Sequence, residues 1–306
     1  MPYIHLTTTR KLTLISAGIA CFTTVLAITL ALYVKELKGS LVNIGGIVIV
    51  TSLKINSLII AAVALALLPA AVVDFLNRRY LDAIDRELGA FFSGLSEAVG
   101  AGMTMSQALE YVSKSIHGPL ASEIKRVLTQ IELGSTLEQA LNDMVERLKL
   151  PSLRRAAVIL ITAHESGGRL VDVLSSAAES FLMLRAYEEE RRTIIAPYFW
   201  TVYVALLVYI FVSFVLIYAF FKPLAVMSAQ GALLGLGKVN VEVYRTLLLY
   251  SSALEGLFGG LIAGKLKTGK ASAGLIHSVT MLFVIIAAFN VMEPIGTLIE
   301  LTSLKP

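Results

Sequence analysis

Long hydrophobic runs and one polar region alternate along this chain. Five runs stay apolar for about the 20 residues that an α-helix needs to cross ~30 Å of membrane hydrocarbon. They are Leu12–Val34, Ile55–Val73, Thr193–Phe221, Thr246–Gly264 and Ala271–Met292. We therefore expect five transmembrane helices, the last of them ending at Pro294, since proline disfavours helix continuation. Residues 40–54 allow two interpretations: an outside hairpin around the β-branched run Ile47–Thr51, or an extension of the second span.

The polar region, residues 74–192, has the periodicity of soluble helices. Its apolar residues recur at intervals of three and four, as in the stripe Leu88, Phe91, Phe92, Leu95 and Val99. Gly and Pro divide it into six predicted helices at about 74–100, 105–116, 119–132, 137–149, 152–165 and 169–192. The predicted fold class is an all-α polytopic membrane protein with a cytoplasmic six-helix bundle between the second and third spans. The predicted domains are 1–73 with two spans, 74–192, and 193–306 with three spans.

Charge supports this division and suggests an orientation. Residues 74–192 carry 31 of the 48 charged side chains, and the mean hydropathy of the whole chain is +0.77. Eleven Lys and Arg flank the spans on the side of the polar region, and seven flank them on the other side. The positive-inside rule then places the N-terminus and residues 74–192 in the cytoplasm and the C-terminus outside the cell membrane. The net charge of +4 fits contact with the lipid bilayer, and we expect no nucleic-acid partner.

Two segments of the polar region repeat each other 32 residues apart. Each has a Gly, a Thr two positions later and a Gln three positions after that, followed by Ala-Leu: Gly102, Thr104 and Gln107, then Gly134, Thr136 and Gln139. Glycine permits the positive φ at which many helices end. The Thr and Gln form a capping box, in which each side chain bonds the backbone N–H of the other residue. Two such boxes in one register predict a duplicated three-helix unit.

These repeats, followed by Glu165-Ser-Gly167-Gly168-Arg-Leu, resemble the cytoplasmic domain of the type II secretion F family. The segments around Gly259–Lys265 and Ser272–Ser278 are similar to its archaeal branch. The family supplies the membrane platforms of type II secretion systems, type IV pili, tight-adherence pili and archaella. The resemblance therefore implies a cytoplasmic secretion ATPase and pilin-like subunits as partners. Because many relatives carry two cytoplasmic domains and this chain has one, we expect a homodimer or a heterodimer with a paralogous platform protein.

The Glu165 side chain is expected to bond backbone amides of a turn at Gly167 and Gly168, with a partner contact as the alternative. Within the fourth run, small residues recur every four positions and form one packing face: Ser252, Gly256, Gly260 and Gly264. We expect this face to pack against another helix of the chain or of a second copy. Glu255 lies beside it, and a carboxylate inside a membrane is a functional candidate by default. It could bond within the bundle or contact the transmembrane helix of a pilin.

No catalytic constellation stands out, and we expect neither enzymatic activity nor a cofactor or metal site. Gly259-x4-Gly264-Lys265 has phosphate-loop spacing, but Leu266 stands where the Mg²⁺-binding hydroxyl is needed and no strand precedes it. The expected function is a platform that couples the ATPase to pilin insertion, with a transporter or channel as the alternative. Possible partner contacts are the acidic residues Glu188, Glu189 and Glu190 and the basic residues Lys265, Lys267 and Lys270.

Overall fold

In the computed structural model, residues 8–44, 46–166, 169–229 and 239–303 are described, and they are almost entirely helical. The helices are α1 Thr8–Gly39, α2 Leu53–Gly100, α3 Met105–Ser115, α4 Pro119–Glu132, α5 Leu137–Leu148, α6 Pro151–Ser166, α7 Leu170–Val215, α8 Lys222–Ala229, α9 Val241–Thr268 and α10 Leu275–Ser303. A π-helical segment, Leu216–Phe221, joins α7 to α8, and a 3₁₀ turn, Ala271–Gly274, precedes α10. Five helical stretches are long and apolar enough to cross a membrane, which confirms the predicted all-α, five-span class.

Two helices are much longer than the spans within them. The 48-residue α2 joins the predicted second span to the first predicted helix of the polar region, and α7 likewise continues from Leu170 through the third span. Both contain an internal proline, Pro69 in α2 and Pro197 in α7. A transmembrane helix that ended at a proline would leave further backbone groups without partners in lipid, so continuation is favoured there.

The same reasoning corrects the predicted end of the fifth span. The expectation that Pro294 ends this helix is wrong, because α10 continues to Ser303 with Pro294 inside it. Proline removes a single N–H donor, and the remaining backbone groups keep their helical partners when the helix continues. The C-terminal end of this span therefore lies beyond the position that the proline suggested.

The segment between the first two spans is a β-hairpin. Strands β1 Leu41–Ile44 and β2 Ile47–Val50 pair antiparallel, with Leu41 opposite Val50. Gly46 has a φ of +90°, and its N–H donates to the Asn43 side-chain oxygen at 3.1 Å. The hairpin interpretation is confirmed for residues 41–50, and the second helix begins only at Leu53, so that Lys54 lies inside it as the other interpretation expected.

The chain divides into two compact units. Residues 75–194, called here the helical unit, have a continuous hydrophobic core around the C-terminal half of α2. From the predicted stripe, Leu88, Phe91, Phe92 and Leu95 are fully buried there and Val99 is partly buried. The Phe92 ring stacks on Phe181 of α7, with 5.1 Å between ring centroids. Side chains of α3, α4, α5 and α6 complete this core.

The other unit, called here the apolar unit, takes its described residues from 6–74 and 195–306. Its core contains side chains from α2, α7, the π-helical segment, α9 and α10, including the fully buried Leu249, Ile285 and Phe289. Helix α1 comes close to α2 at Gly18, where an added Cβ would stand 2.6 Å from the Ala66 carbonyl oxygen. The two units are described separately below.

Candidate functional site

Both predicted capping boxes are formed in the helical unit. Gly102 and Gly134 have φ values of +90° and +102°. At the start of α3, Thr104 Oγ1 accepts from the Gln107 N–H at 3.4 Å, and Gln107 Oε1 accepts from the Thr104 N–H at 3.0 Å. At the start of α5, Thr136 and Gln139 make the same two bonds at 3.2 and 3.1 Å. Helices α3 and α4 form the first helical hairpin of this unit, and α5 and α6 form the second. The first helix of each hairpin is therefore capped by its own sequence alone.

The second helix of each hairpin contacts a carboxylate of α2 in its first turn. Pro119 and Pro151 are the first residues of α4 and α6, and they stand 32 positions apart. Glu87 Oε2 accepts from the Leu120 N–H at 3.0 Å, and the Ser152 hydroxyl donates to Asp85. Leu120 and Ser152 are likewise separated by 32 residues. Two carboxylates of one helix thus bind equivalent positions of the two repeats.

These carboxylates carry a burial penalty that their partners offset in part. Burial raises the pKa of Asp85 and that of Glu87 above their ordinary values. The bonds from Ser152 and from the Leu120 amide act in the opposite direction, because they favour the charged forms. A negative charge at a helix N-terminus is further stabilised by the free N–H groups of the first turn. Neither Asp85 nor Glu87 was predicted from the sequence.

Removal of the Glu87 cap should measurably destabilise the helical unit. Gly118 precedes α4 without a side-chain cap, so we expect Glu87→Ala to lower the free energy of unfolding by about 1 kcal/mol, as for loss of an N-cap. A Cβ at Gly118 would stand 1.7 Å from Glu87 Oε1, so Gly118→Ala displaces the carboxylate and should have a similar effect. Denaturant unfolding of the purified chain, followed by hydrogen exchange in α4, measures both.

The double variant tests the mechanism. If Gly118→Ala acts by displacing Glu87, it should add little to Glu87→Ala, whereas independent effects would sum. Gly100→Ala is the matched control, because its added Cβ would meet only Val171 Cγ1, at 4.0 Å. Additive losses in the double variant would contradict the cap.

A buried charge cluster joins α2, α4 and α5 in the helical unit. The Glu123 side chain is 2% exposed, and its Oε1 accepts from the Tyr80 hydroxyl at 2.7 Å. Arg147 Nη2 lies 2.6 Å from Glu123 Oε2 in a charge pair without hydrogen-bond geometry, and Arg126 lies 3.5 Å from Oε1. Two effects raise the pKa of Tyr80 to about 12: burial, which is the larger, and the hydrogen bond to Glu123. The Tyr80 hydroxyl therefore stays protonated and acts as the donor. The repeat pattern in the sequence did not predict a role for Glu123.

The predicted acidic contact residues lie on α7 within the helical unit. Arg185 pairs with Glu189 at 2.9 Å and with Glu188 at 3.5 Å, while Glu190 is exposed. Glu165 is exposed in the last turn of α6. Gly167 and Gly168 lie outside the described residues, and so does the turn to which Glu165 was expected to bond.

In the apolar unit, the predicted small-residue face of α9 packs against α10 of the same chain. Ser252, Gly256, Gly260 and Gly264 are all buried. A Cβ on Gly260 would stand 2.3 Å from the Ser278 nitrogen, and one on Gly264 would stand 2.0 Å from the Gly274 nitrogen. The Ser278 hydroxyl donates across the contact to the Leu257 carbonyl at 2.8 Å. This face is therefore occupied within the chain.

Glu255 is half-buried beside this face. Its Oε2 atom is enclosed and has no hydrogen-bond partner among the described residues. On the next turn Gly259 faces α7, since its added Cβ would stand 3.2 Å from Val202 Cγ1. One interpretation of Glu255 was a hydrogen bond within the bundle. No described residue makes such a bond to Oε2.

A second polar group inside the apolar unit was not predicted. The fully buried Asn56 accepts from the Tyr250 hydroxyl at 3.0 Å and donates to the Val50 carbonyl at 2.8 Å and to Thr246 Oγ1 at 3.4 Å. Asn290 donates to Ser57 Oγ at 3.1 Å. These bonds tie the start of α2 to α9 and α10. The available sequence signal was the presence of two Asn inside apolar runs, where an unpaired amide is costly.

The three predicted basic residues lie at the C-terminal end of α9 or just after it, and all are exposed: Lys265, Lys267 and Lys270. Lys267 Nζ stands 5.3 Å from the centroid of Phe199. Close by, the Tyr203 hydroxyl is 2.7 Å from His277 Nδ1. The phosphate-loop-like spacing at Gly259–Lys265 falls inside the continuous helix α9, where no loop could surround a phosphate. Across the described ranges, no three His, Cys, Asp or Glu side chains are grouped as metal ligands.

Residues 91–218 match the family model of type II secretion system protein F. This segment is therefore similar to the type II secretion system protein F family. It begins in the C-terminal part of α2 and ends in the π-helical segment after α7, and it covers less than half of the chain. The family resemblance read from the repeats is thereby confirmed. The matched family is that of type II secretion system protein F, and the five long apolar helices of the chain agree with a membrane protein.

One curated relative is an uncharacterized protein of Methanocaldococcus jannaschii. It is 24% identical over 200 residues, which are 65% of this chain and 32% of that protein. The chain therefore spans about a third of the length of this relative. No solved structure matches the chain.

Proposed function

We propose that this protein is the multi-pass membrane platform of a type IV pilus-like or archaellum-like filament, or of a type II-like secretion machine. In this proposal the helical unit is cytoplasmic and receives a secretion ATPase, while the apolar unit lies in the cell membrane and contacts pilin-like subunits. The chain itself hydrolyses nothing. The F domain at residues 91–218 carries the proposal.

The construction of the helical unit supports a mechanical role. Its hairpins are fixed by two half-buried carboxylates of α2 and by local caps. Helices α2 and α7 each run without interruption from this unit into the apolar unit. A continuous helix can transmit a displacement along its axis. We infer that ATP-driven changes in the partner tilt or rotate these two helices.

Two surfaces are proposed for the partners. The acidic residues Glu188, Glu189 and Glu190 on α7 would form part of the ATPase contact, and the unsatisfied Glu255 carboxylate would meet a polar group of a pilin transmembrane helix. A second copy or a paralogous platform chain would complete the machine.

A transporter or channel is the alternative function. The hydrogen bonds that link Asn56 to Tyr250 and Thr246 and Asn290 to Ser57, together with Glu255, are the observation that favours it. It predicts solute uptake into proteoliposomes that is lost in Glu255→Ala. No uptake from a broad solute panel would support the platform instead.

Disruption of the second hairpin is the direct test of ATPase coupling. Gly134 has a φ of +102°, and its N–H donates to the Ile131 carbonyl at 2.9 Å. Proline requires a φ near −65° and has no N–H, so Gly134→Pro should destabilise the start of α5 by more than ~1 kcal/mol. We expect several-fold less secretion ATPase to co-purify with the tagged chain from the membranes of its own cells, as counted by quantitative mass spectrometry.

Two further variants make this test decisive. Gly100→Ala should retain the ATPase, because its added Cβ would meet only Val171 Cγ1 at 4.0 Å. Glu190→Lys changes an exposed charge without touching the core, so it should weaken binding while hydrogen exchange stays as in the wild type. Undiminished ATPase in Gly134→Pro, with α5 shown by hydrogen exchange to be open, would exclude the second hairpin from the contact; undiminished ATPase in Glu190→Lys as well would contradict the proposed surface on α7.

A further inference from the structure

The connection between α9 and α10 presents an unusual concentration of positive charge. Lys265, Lys267 and Lys270 fall within six residues, and all three side chains are exposed. Within the described ranges, none of the three ammonium groups lies within 4 Å of a carboxylate oxygen. The chain has no acidic residue between Glu255 and Glu293. Three exposed cations therefore lie within six residues, without an acidic residue in their own segment.

The backbone that carries these lysines is fixed. Helix α9 ends at Thr268 and is capped by Gly269, whose φ is +76° and whose N–H donates to the Lys265 carbonyl at 2.8 Å. The Lys270 N–H donates to Thr268 Oγ1 at 3.4 Å. The contact between Gly264 and Gly274 holds the following 3₁₀ turn directly against α9. Only the flexible ends of the side chains remain to be ordered by a ligand.

Aromatic side chains adjoin the lysines. Lys267 Nζ stands 5.3 Å from the Phe199 ring, and the Phe199 centroid is 5.7 Å from that of Trp200. Trp200 and Tyr198 are each 63% exposed. His277 bonds Tyr203 and contacts the edge of Phe199, which fixes the inner side of this group. Exposed Trp and Tyr at the end of apolar helices mark the level of the lipid headgroups.

We propose that Lys265, Lys267 and Lys270, with Trp200 and Tyr198, bind the phosphate-bearing headgroup of an anionic membrane lipid. The three ammonium groups would contact phosphate oxygens, while the rings of Trp200 and Tyr198 would pack against the glycerol and the upper part of the chains. A lipid is favoured over an acidic protein segment because the lysines and the exposed rings lie at one end of helices apolar enough to span the bilayer. This proposal does not depend on the platform function.

The single tryptophan of the chain makes the site directly observable, because all tryptophan fluorescence comes from Trp200. The full-length protein is reconstituted in phosphatidylcholine bilayers that contain a minor fraction of brominated phosphatidylglycerol or, separately, of brominated phosphatidylcholine. Bromine quenches tryptophan on contact. We expect the anionic quencher to be severalfold more effective than the neutral one at equal content. The triple variant K265Q/K267Q/K270Q should remove this difference.

Two variants control for charge and folding. The variant K35Q/K38Q/K54Q removes three lysines beside other apolar stretches and should keep the wild-type selectivity. The variant K265R/K267R/K270R keeps the positive charges and should also keep most of it. Retained size-exclusion behaviour of the triple glutamine variant shows that it has folded.

Four results would overturn the proposal. The first is equal quenching of wild-type Trp200 by the two lipids, and the second is selectivity that survives in K265Q/K267Q/K270Q. The third is displacement of the brominated anionic lipid by soluble glycerol phosphate at modest concentration, which would indicate a site for free phosphate. The fourth is loss of ATPase co-purification in the triple variant with lipid selectivity unchanged, which would indicate a protein contact.

Discussion

Gly260→Ala should separate α9 from α10 and lower the free energy of unfolding of the protein by about 3 kcal/mol, the upper end of the usual cost of overpacking. The added methyl group would stand 2.3 Å from the Ser278 nitrogen and 2.4 Å from its Cα atom. Both are backbone atoms, so no change of side-chain rotamer can relieve the overlap. The helices must move apart, and the bond from the Ser278 hydroxyl to the Leu257 carbonyl would be lost with the close contact.

The neighbouring glycine supplies the control. A Cβ on Gly259 would meet Val202 Cγ1 at 3.2 Å and Met281 Sδ at 3.8 Å, and both are side-chain atoms that can shift. Unfolding of the purified chain by sodium dodecyl sulfate in mixed micelles should therefore show a much smaller loss for Gly259→Ala. Equal losses for the two variants would mean that backbone contact does not govern this packing.

The α9 face shows what sequence periodicity can and cannot establish. Four small residues at four-residue spacing predict a surface that another helix approaches closely, and the face is buried as that pattern requires. The pattern is the same for a neighbouring helix and for a second copy of the chain. The choice depends on the backbone at Gly269, which turns the chain so that Gly274 and Ser278 return along the same face.

The capping of the helical unit shows a similar limit. The capping boxes at Thr104 and Thr136 join residues three apart, so the sequence was sufficient to predict them. The cap from Glu87 to Leu120 joins residues 33 apart, and its existence depends on the packing of α2 against α4. A weak signal was available, because Gly118 starts α4 with no side chain of its own to cap it.

Burial inside the apolar unit was the least predictable feature. Hydropathy found the spans, but it averages over single polar residues such as Asn56 and Asn290. Whether a polar side chain faces lipid or a partner depends on how the helices rotate about their axes, and a run of apolar residues does not specify that rotation. Pro294 misled for a related reason, since the rule that proline ends a helix is derived mainly from helices in water.

Glu123→Ala is the second substitution with a large expected effect. The Glu123 carboxylate is enclosed and holds Tyr80 on one oxygen and Arg147 on the other. Its removal leaves a cavity and a guanidinium that is 26% exposed without its counter-charge. Removing one partner of a buried pair costs about 3 kcal/mol or more. We expect a loss near the lower end of that range, because Arg147 reaches solvent in part.

The double variant Glu123→Met with Arg147→Met separates charge from packing. Two apolar side chains of suitable length leave no buried charge, so most of the stability lost in Glu123→Ala should return. Hydrogen exchange of α4 and α5 in the full-length protein, together with denaturant unfolding, gives both values. Glu110→Gln is the matched control, since Glu110 pairs with Lys114 at 2.7 Å on an exposed face of α3 and should be nearly silent. A double variant as unstable as Glu123→Ala would show that the cluster acts by shape and hydrogen bonding rather than by balancing charge.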